Sequence, residues 1–405
     1  MKKIVLVNLF LFWSSCMFGG EWAERTLISM SLQKKIGQIF MIDVRPNIEE
    51  EKEKLEEYFS IDVSYDTAKD YIKHVSDMIK EYHVGGLIFM KSDVATQVKL
   101  VNDFQKQSQL PLLCAMDAEW GPAMRLVDVK PFPFQEELGK CEEKDEKKIY
   151  EMGKVIGHQC RQLGIHINFA PVVDINNNPE NLIIKHRSFG ADKGNVTRKA
   201  LLYMRGLHDA DVMAVAKHFP GHGNVTIDTH KEGGILPFTL EELHETELYP
   251  YKQLISQGLE GIMTTHLVMS AIDKEYPATL SAPVITDLLR RKLGFDELVF
   301  ADCMMMKAIS KYYSPGEAAV RTFKAGVDVI LMPVDLSKSI KAIEKAIENE
   351  PELEQKLDKS VMRILQAKEK FGLHENKLID SSVTVDEINS KAALALIEEL
   401  PARVR

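Results

Sequence analysis

The sequence contains few cysteines and arranges them in no recognisable pattern. Five cysteines occur among 405 residues, and no two of them have the CxxC spacing of a thiolate metal site. A disulfide framework normally shows as a dense, regularly spaced set of cysteines in a short chain. The cysteine content therefore argues against both a disulfide scaffold and a thiolate-bound metal. Cys114 and Cys303 lie in or beside apolar runs, so we expect buried free thiols there.

An excess of positive charge is also absent. The formal net charge is -9, and the Lys and Arg residues are scattered rather than clustered. Because nucleic-acid binding depends on concentrated positive charge, we expect no nucleic-acid partner. No internal repeat or flexible linker stands out. An apolar content of 45% is enough for a full core, so we expect no cofactor or metal and a monomeric chain.

The sequence has no apolar run long enough to remain in a bilayer as a spanning helix. The apolar run from Ile4 to Trp13 is preceded by Lys2 and Lys3 and followed by small residues up to Cys16. This pattern predicts a signal sequence over residues 1–20 and export to the periplasm or cell envelope. Lipidation at Cys16 is a further hypothesis, and membrane attachment is expected only through this signal or its lipid. A cytoplasmic location is the alternative.

Eight strand-like apolar runs alternate with amphipathic, helix-like segments. Eight βα units over roughly 300 residues predict an α/β fold of the (β/α)8, or TIM-type, barrel class. A doubly wound open sheet is the alternative, but no GxGxxG or phosphate loop follows the first run. The runs are Gly37–Asp43, Val84–Met90, Pro111–Asp117, His166–Asp174, Asp211–Phe219, Leu259–His266, Glu297–Asp302 and Gly326–Pro333.

Two segments do not fit the bare barrel. Residues 47–75 contain the run EEEKEKLEEY, which predicts an exposed helical insertion with a solvated, i,i+4-paired charged face. We place the catalytic barrel domain at residues 25–373. Residues 374–405 are then a C-terminal tail with a short, helix-like remnant, too short for a second domain.

Polar and ionisable residues follow five consecutive strand-like runs. The carboxyl ends of barrel strands meet at one mouth, so these side chains predict an active site there. The richest stretch is KHFPGHGNVTIDTH, residues 217–230, with three histidines, a lysine and an aspartate. Carboxylates and cations without a phosphate-binding loop suit a neutral polar ligand such as a sugar. The residues are Asp117, Glu119, Arg125, Asp174, Asn181, Arg187, Lys217, His218, His266 and Asp302.

Six stretches carry a family resemblance: DAEWGPAMR, NFAPVVDINNNPENLIIKHRSFG, KHFPGHGNVTIDTH, PATLSAPVIT, LVFADCMMMKAI and AGVDVILM. On these stretches the chain resembles the glycoside hydrolase family three β-N-acetylglucosaminidases, from about Ser31 to Lys370. The KHFPGHG segment with a following D-x-H is the most specific of them. It is typical of the N-acetylglucosaminidase branch, whereas the β-glucosidase-like branch takes its acid/base from a second domain.

The resemblance implies a set of roles. Asp302 would be the nucleophile, and His230 the general acid/base with Asp228 as its partner. Residues that match those holding the terminal sugar are Asp117, Arg125, Arg187, Lys217 and His218. The implied activity is retaining, exo-acting removal of terminal β-linked N-acetylglucosamine. Chitin oligomers and glycoconjugates also carry this sugar, but the signal-like N-terminus makes peptidoglycan (muropeptide) fragments the expected substrates. Two departures from the family pattern are Trp120, where glycine is frequent, and Cys303, where aspartate or alanine is frequent.

The chemistry of the residues agrees with these roles. Glycosidic cleavage needs a carboxylate facing the anomeric carbon and an acid that reaches the leaving oxygen. Asp302 at a rigid strand end suits the first role, and a histidine that titrates near neutrality suits the second.

Three alternatives remain open. Phosphate could replace water as the acceptor, since a histidine acid/base places no second carboxylate near an incoming anion. A metal-dependent barrel hydrolase could use His218, His222, His230 or His266 together with Asp302 as ligands. A catalytically silent sugar-binding protein of the envelope is the third.

Overall fold

Ten short strands build the fold. The computed structural model describes residues 21–59, 67–225, 233–236 and 238–400. The strands are β1 Phe40–Val44, β2 Gly86–Phe89, β3 Leu113–Met116, β4 Ile167–Asn168, β5 Met213–Phe219, β6 Gly234–Leu236, β7 Gly261–Thr264, β8 Leu267–Met269, β9 Leu298–Phe300 and β10 Ile330–Leu331.

Eight of these strands form one parallel sheet in the order β10-β1-β2-β3-β4-β5-β7-β9. A parallel bridge between Phe300 and Val329 joins β9 to the segment that leads into β10, so the sheet closes on itself. Every residue of the eight strands is buried, because helices cover the outside of the sheet and side chains fill its inside. The predicted (β/α)8 barrel is confirmed.

Each predicted run overlaps one barrel strand, but the strands are shorter than the runs, and β1 extends one residue beyond its run to Val44. The largest difference is at β4, which has two residues where nine were predicted from His166 to Asp174. Pro171 has no backbone N–H to donate to a neighbouring strand, which interrupts the ladder. The chain still follows β5 beyond this point, because the Val173 N–H donates to the Lys217 carbonyl at 2.9 Å.

A second, two-stranded parallel sheet, β6 with β8, was not predicted. β8 begins three residues after β7 ends, so this sheet lies on the side of the barrel where the strands have their carboxyl ends. We refer to that side as the mouth.

Helices surround the barrel and connect its strands. Several begin with a side-chain cap that satisfies a free backbone N–H; Asp93 and Asp192 are examples. The α-helices are Glu21–Ser29, Leu32–Gln38, Ile48–Tyr58, Ala68–Tyr82, Val94–Gln107, Gln135–Gly139, Lys147–Gln162, Lys193–His208, Leu240–Glu245, Leu248–Ser256, Lys307–Ser310, Pro315–Ala325, Leu336–Asn349, Leu353–Lys370, Val385–Ile388 and Lys391–Glu399. A π-helix spans Pro283–Lys292, and 3-10 turns span Pro122–Met124, Glu143–Asp145 and Ala278–Leu280.

The predicted insertion at residues 47–75 is only partly correct. The helix Ile48–Tyr58 is present and largely exposed, and residues 60–66 lie outside the described part of the chain. The helix Ala68–Tyr82, however, buries an apolar face against the barrel and belongs to the barrel itself. The helix Ile48–Tyr58 also forms ion pairs with residues outside it. Glu51 contacts Arg45 at 2.6 Å, and Glu50 contacts Lys91 at 2.7 Å.

The C-terminal tail packs along the barrel as two short helices. Ile388 is fully buried, and its carbonyl accepts a hydrogen bond from the Gln159 side chain at 2.8 Å. Asn102 exchanges two hydrogen bonds with the backbone of Ile379. These contacts hold the tail against the helices that surround the barrel. Within the described ranges, no helix combines the length and the apolar character needed to cross a lipid bilayer.

Candidate active site

The mouth collects most of the residues that the sequence singled out. Asp117 comes directly after β3, and Lys217 and His218 lie at the carboxyl end of β5. Asp302 lies two residues beyond β9, and His266 lies two residues beyond β7. Because the strands are parallel and neighbouring, these positions share one end of the barrel.

Cations and carboxylates alternate across the mouth in one connected network. Lys217 Nζ lies 2.8 Å from Asp117 Oδ1 and 2.8 Å from Glu119 Oε1. Arg125 holds the other oxygen of Asp117 at 2.5 Å. Arg187 binds Glu119 through Nε and a terminal nitrogen, at 3.0 and 2.8 Å. Every charge in this network has an opposite charge beside it, which offsets the cost of burial.

The two carboxylates of this network hold no proton at neutral pH. Burial alone would raise the pKa of Asp117, but Lys217 and Arg125 more than offset it and hold that pKa well below its usual range. In the same way, Arg187 and Lys217 override burial and keep the pKa of Glu119 at about 2. Both groups can therefore accept hydrogen bonds from sugar hydroxyls, but neither can act as a general acid.

His218 is fixed in one tautomer by its two neighbours. Its Nδ1 lies 2.7 Å from Asp174 Oδ2, and its Nε2 lies 3.3 Å from an Arg187 nitrogen. Because a guanidinium can only donate, Nε2 accepts and Nδ1 carries the hydrogen that it donates to Asp174. His218 is consequently an oriented ring.

Asp174 anchors the loop that follows β5. It accepts hydrogen bonds from the backbone N–H groups of His218 and His222, at 3.1 and 2.8 Å. Burial would raise its pKa, but His218 and these hydrogen bonds lower it, so the group stays ionised. The Asn181 side chain adds a hydrogen bond to the His222 carbonyl at 2.8 Å.

His222 and Glu247 are buried beside this loop. Burial, and then the proximity of His218, lowers the pKa of His222 to about 4. Glu247 is 1% exposed and packs against Gly221, whose φ of 151° and lack of a side chain leave room for the carboxyl. Burial, and then the charge of Asp174, raises the pKa of Glu247 to about 8. Glu247 is therefore a neutral carboxylic acid at neutral pH.

Asp302 is half-buried on the irregular segment after β9. The backbone N–H of Cys303 donates to Asp302 Oδ1 at 2.7 Å. On either side, the Ala301 N–H donates to the Val329 carbonyl and the Met304 N–H to the Leu331 carbonyl. The carboxylate is thus carried on backbone that is tied to β10 and the segment that leads into it.

Asp228 and His230, the predicted acid/base pair, lie outside the described residues. The structure brings together the five residues predicted to hold the sugar, and it places Asp302 at the same mouth. The sequence placed Glu119 and Asp174 at the mouth but gave them no role, and it did not single out Glu247. The structure shows that Glu119 pairs with Arg187 and Lys217, and that Asp174 pairs with His218.

Two of the histidines that a metal site would need are already engaged. His218 uses both ring nitrogens as described above. His266 Nδ1 lies 2.8 Å from Thr279 Oγ1, and its Nε2 lies 2.9 Å from the Cys303 carbonyl oxygen. A metal ligand must offer a free lone pair, so the metal-dependent alternative would have to displace these bonds.

Comparison with known proteins gives a consistent family. Residues 31–367 match the glycosyl hydrolase family 3 N-terminal domain. The chain is 31% identical over 364 residues to beta-hexosaminidase A of Pseudoalteromonas piscicida, a match that covers 80% of this chain and 61% of that protein. It is 34% identical over 304 residues to beta-hexosaminidase LpqI of Mycobacterium tuberculosis, which covers 72% of this chain and 77% of that protein.

Solved structures agree with the sequence matches. The glycoside hydrolase family 3 β-N-acetylglucosaminidase of a Paenibacillus species superposes with a TM-score of 0.77 at 33% identity, covering 92% of this chain and 68% of that one. The structure of LpqI from M. tuberculosis superposes with a TM-score of 0.73 at 30% identity, covering 85% and 96%. The chain spans about three fifths of the Pseudoalteromonas protein and nearly all of the solved LpqI chain.

Proposed function

The chain belongs to glycosyl hydrolase family 3, and we propose that it is a retaining, exo-acting β-N-acetylglucosaminidase that removes terminal β-linked N-acetylglucosamine. The observation that supports this most is the network of Asp117, Glu119, Lys217 and Arg187 at the mouth. It presents oriented donors and proton-free acceptors, which suit the vicinal hydroxyls of one sugar ring.

In the proposed first step, Asp302 attacks the anomeric carbon and forms a glycosyl ester. The bond to the leaving oxygen breaks, and that oxygen takes a proton from His230. In the second step His230 removes a proton from water, the water oxygen attacks the same carbon, and the ester bond to Asp302 breaks. Two inversions at one carbon return the β configuration.

The remaining residues of the mouth bind and orient the sugar in this proposal. Lys217 is 2% exposed, so its ammonium group cannot swing freely into solvent. Its position is fixed by two carboxylates before a ligand arrives. Such preorganised charges lose little freedom on binding, which favours the transition state.

The proposed natural substrates are peptidoglycan fragments, and the proposed site of action is the cell envelope. Support comes from the signal-like N-terminal sequence, which would deliver the enzyme to the place where such fragments are made.

A first experiment tests the activity itself. Release of the aryl group from p-nitrophenyl β-N-acetylglucosaminide is expected, with much slower release from the matching β-glucoside. Products from muropeptides and chitobiose are then compared with and without phosphate. Free N-acetylglucosamine in both cases supports hydrolysis, whereas a sugar 1-phosphate would show the phosphorolytic alternative. No release from any N-acetylglucosaminide would overturn the proposal.

A further inference from the structure

A buried chain of hydrogen bonds connects the barrel wall to the peptide that follows Asp302. Thr264 Oγ1 lies 2.7 Å from Thr279 Oγ1, and Thr279 Oγ1 lies 2.8 Å from His266 Nδ1. His266 Nε2 lies 2.9 Å from the carbonyl oxygen of Cys303. We refer to Thr264, Thr279 and His266 as the His266 network. It joins two sequence stretches, LEGIMTTH and PATLSAPVIT, for which the proposed mechanism has no use so far.

The directions of these hydrogen bonds follow from the atoms. A carbonyl oxygen only accepts, so His266 Nε2 carries a hydrogen and donates it to Cys303. The Thr279 hydroxyl lies 2.8 Å from His266 Nδ1 and 3.0 Å from the carbonyl oxygen of Thr265. Thr264 can in turn donate to Thr279. The Thr279 hydroxyl is therefore tied to the backbone after β7 and holds the ring of His266 in the orientation that binds the Cys303 carbonyl.

Burial makes this arrangement rigid. Thr264 and Thr279 have no exposed surface, and His266 is 1% exposed. Water cannot replace the Thr279 hydroxyl without a space to enter. Rotation of the imidazole would leave buried polar atoms without partners, at the cost of a lost hydrogen bond or more.

The far end of the His266 network contacts the backbone of the residue that touches Asp302. The Cys303 N–H donates to Asp302 Oδ1 at 2.7 Å, and the Cys303 carbonyl accepts from His266. The peptide group of this carbonyl is also tied to β10, because the Met304 N–H donates to the Leu331 carbonyl. His266 and β10 together thus restrain the backbone of Cys303. Without His266, rotation about the bonds of Cys303 would be freer, and its N–H could withdraw from the Asp302 carboxylate.

We propose that His266 and Thr279 are positioning residues, which act through the Cys303 peptide to fix the carboxylate of Asp302 for attack. This inference rests on the proposed role of Asp302 as the nucleophile. It gives Thr279 and His266 a function in the first chemical step rather than in sugar binding.

A matched pair of substitutions at position 279 tests the hydroxyl. Thr279→Val keeps the shape of the side chain and removes its hydroxyl, whereas Thr279→Ser keeps the hydroxyl. Formation of the glycosyl-enzyme from a dinitrophenyl N-acetylglucosaminide is followed by rapid mixing. We expect Thr279→Val to slow this step roughly tenfold or more with little change in KM, and Thr279→Ser to stay near wild type. Equal rates in the two variants would overturn the inference.

A second pair tests the ring. Gln at position 266 can donate to the Cys303 carbonyl and accept from Thr279, whereas Leu can do neither. We expect His266→Gln to restore a large part of the rate that His266→Leu loses. A general structural role would lower the melting temperature of both variants without this difference in rate. Equal rates in His266→Gln and His266→Leu would contradict the positioning role.

A direct observation of the ring keeps the inference testable if a variant does not fold. Nitrogen NMR of histidine-labelled wild-type protein should show a hydrogen on Nε2 of His266, whose signal is identified by its absence from His266→Gln. A ring without a hydrogen on Nε2 would overturn the inference.

The proposed function and this inference are tested by different measurements. Mass spectrometry of peptides from enzyme stopped during turnover should find the sugar on Asp302. A label on another residue would contradict the nucleophile. A label on Asp302 together with equal rates for Thr279→Val and Thr279→Ser would contradict only the positioning role.

Discussion

At the scale of single residues, Arg187 is the cation whose loss should weaken binding of the sugar most. It holds Glu119 through two nitrogens and contacts His218, so it fixes both groups. Arg187→Ala should lower kcat/KM by the equivalent of about 2–4 kcal/mol, because a charged donor to the substrate is lost and Glu119 is left less well paired. Steady-state kinetics on an aryl N-acetylglucosaminide measures this.

Arg198 provides the matched control for Arg187. It makes the same two-nitrogen contact with Glu146, but from the helix Lys193–His208 on the outside of the barrel. Arg198→Ala should therefore leave kcat/KM unchanged. If Arg187→Ala behaved like Arg198→Ala, Arg187 would have no part in binding the sugar.

Glu247 gives a prediction about pH. The raised pKa of about 8 means that the folded protein binds this proton between pH 4.5 and 8 while the unfolded chain has lost it. Stability supplied by the neutral form therefore falls as the pH rises through that window. Above pH 8 the ionised group would also face the Asp174 carboxylate, beside the loop that carries His218 and His222.

Glu247→Gln, which stays neutral at all pH values, should therefore keep activity at alkaline pH better than the wild type does. The exposed neighbour Glu245 offers the control, since Glu245→Gln should lose activity at the same pH as the wild type. Titration of kcat/KM from pH 6 to 10 measures the difference. If the profiles of Glu247→Gln and wild type superimposed, ionisation of Glu247 would not be the cause of the loss of activity at alkaline pH.

At the scale of an element, the sequence that follows β5 includes the proposed acid/base His230. An acid matters only where the leaving group needs a proton. His230→Ala should slow cleavage of a natural disaccharide far more than formation of the glycosyl-enzyme from a dinitrophenyl glycoside. The intermediate should then accumulate, and azide, which needs no deprotonation, should restore turnover. Equal losses with both leaving groups, without rescue by azide, would move this role to another residue, with His222 the next to test.

The elements also show what the sequence could predict and what it could not. Buried parallel strands read as continuous apolar runs, so all eight barrel strands were found. The pair β6–β8 was missed because Gly234–Leu236 is a strand of only three residues, too short to show as an apolar run. The helix Ala68–Tyr82 was partly merged with the acidic insertion because charged residues fill its outer face.

Site residues were predictable where they lie at the carboxyl end of a strand or directly after it. Lys217 within the end of β5 and Asp117 directly after β3 are examples, since position alone places them at the mouth. Glu247 was not predictable in this way, because it lies in a segment rich in glutamate that reads as a solvated helix end. Only the packing against Gly221 shows that this particular carboxyl is buried.

At the scale of the whole molecule, a buried lysine links stability to pH. Lys368 has no exposed surface and donates to the Gln38 side chain. Burial lowers the pKa of Lys368 to about 7, whereas the unfolded chain titrates near 10.5. Between these values the unfolded chain binds more protons, so the contribution of Lys368 to stability rises with pH. Below pH 7 the fold carries the cost of a buried ammonium.

Lys368→Met should raise the free energy of unfolding at pH 6, and its advantage over the wild type should shrink or reverse by pH 10. Urea unfolding at several pH values measures this. Lys359, exposed on the same helix Leu353–Lys370, supplies the control, because Lys359→Met should change stability equally at all pH values. If Lys368→Met changed the free energy of unfolding by the same amount at every pH, burial of the Lys368 ammonium would not destabilise the fold.

The measurement that tests the account most directly is proton NMR of the first product released from a β-linked N-acetylglucosaminide. It reports turnover and stereochemistry together. The account predicts that the β anomer of N-acetylglucosamine forms first and then mutarotates, because two displacements occur at one carbon with Asp302 as the nucleophile. The α anomer as the first product would contradict the covalent intermediate, and the absence of any released sugar would contradict the proposed activity.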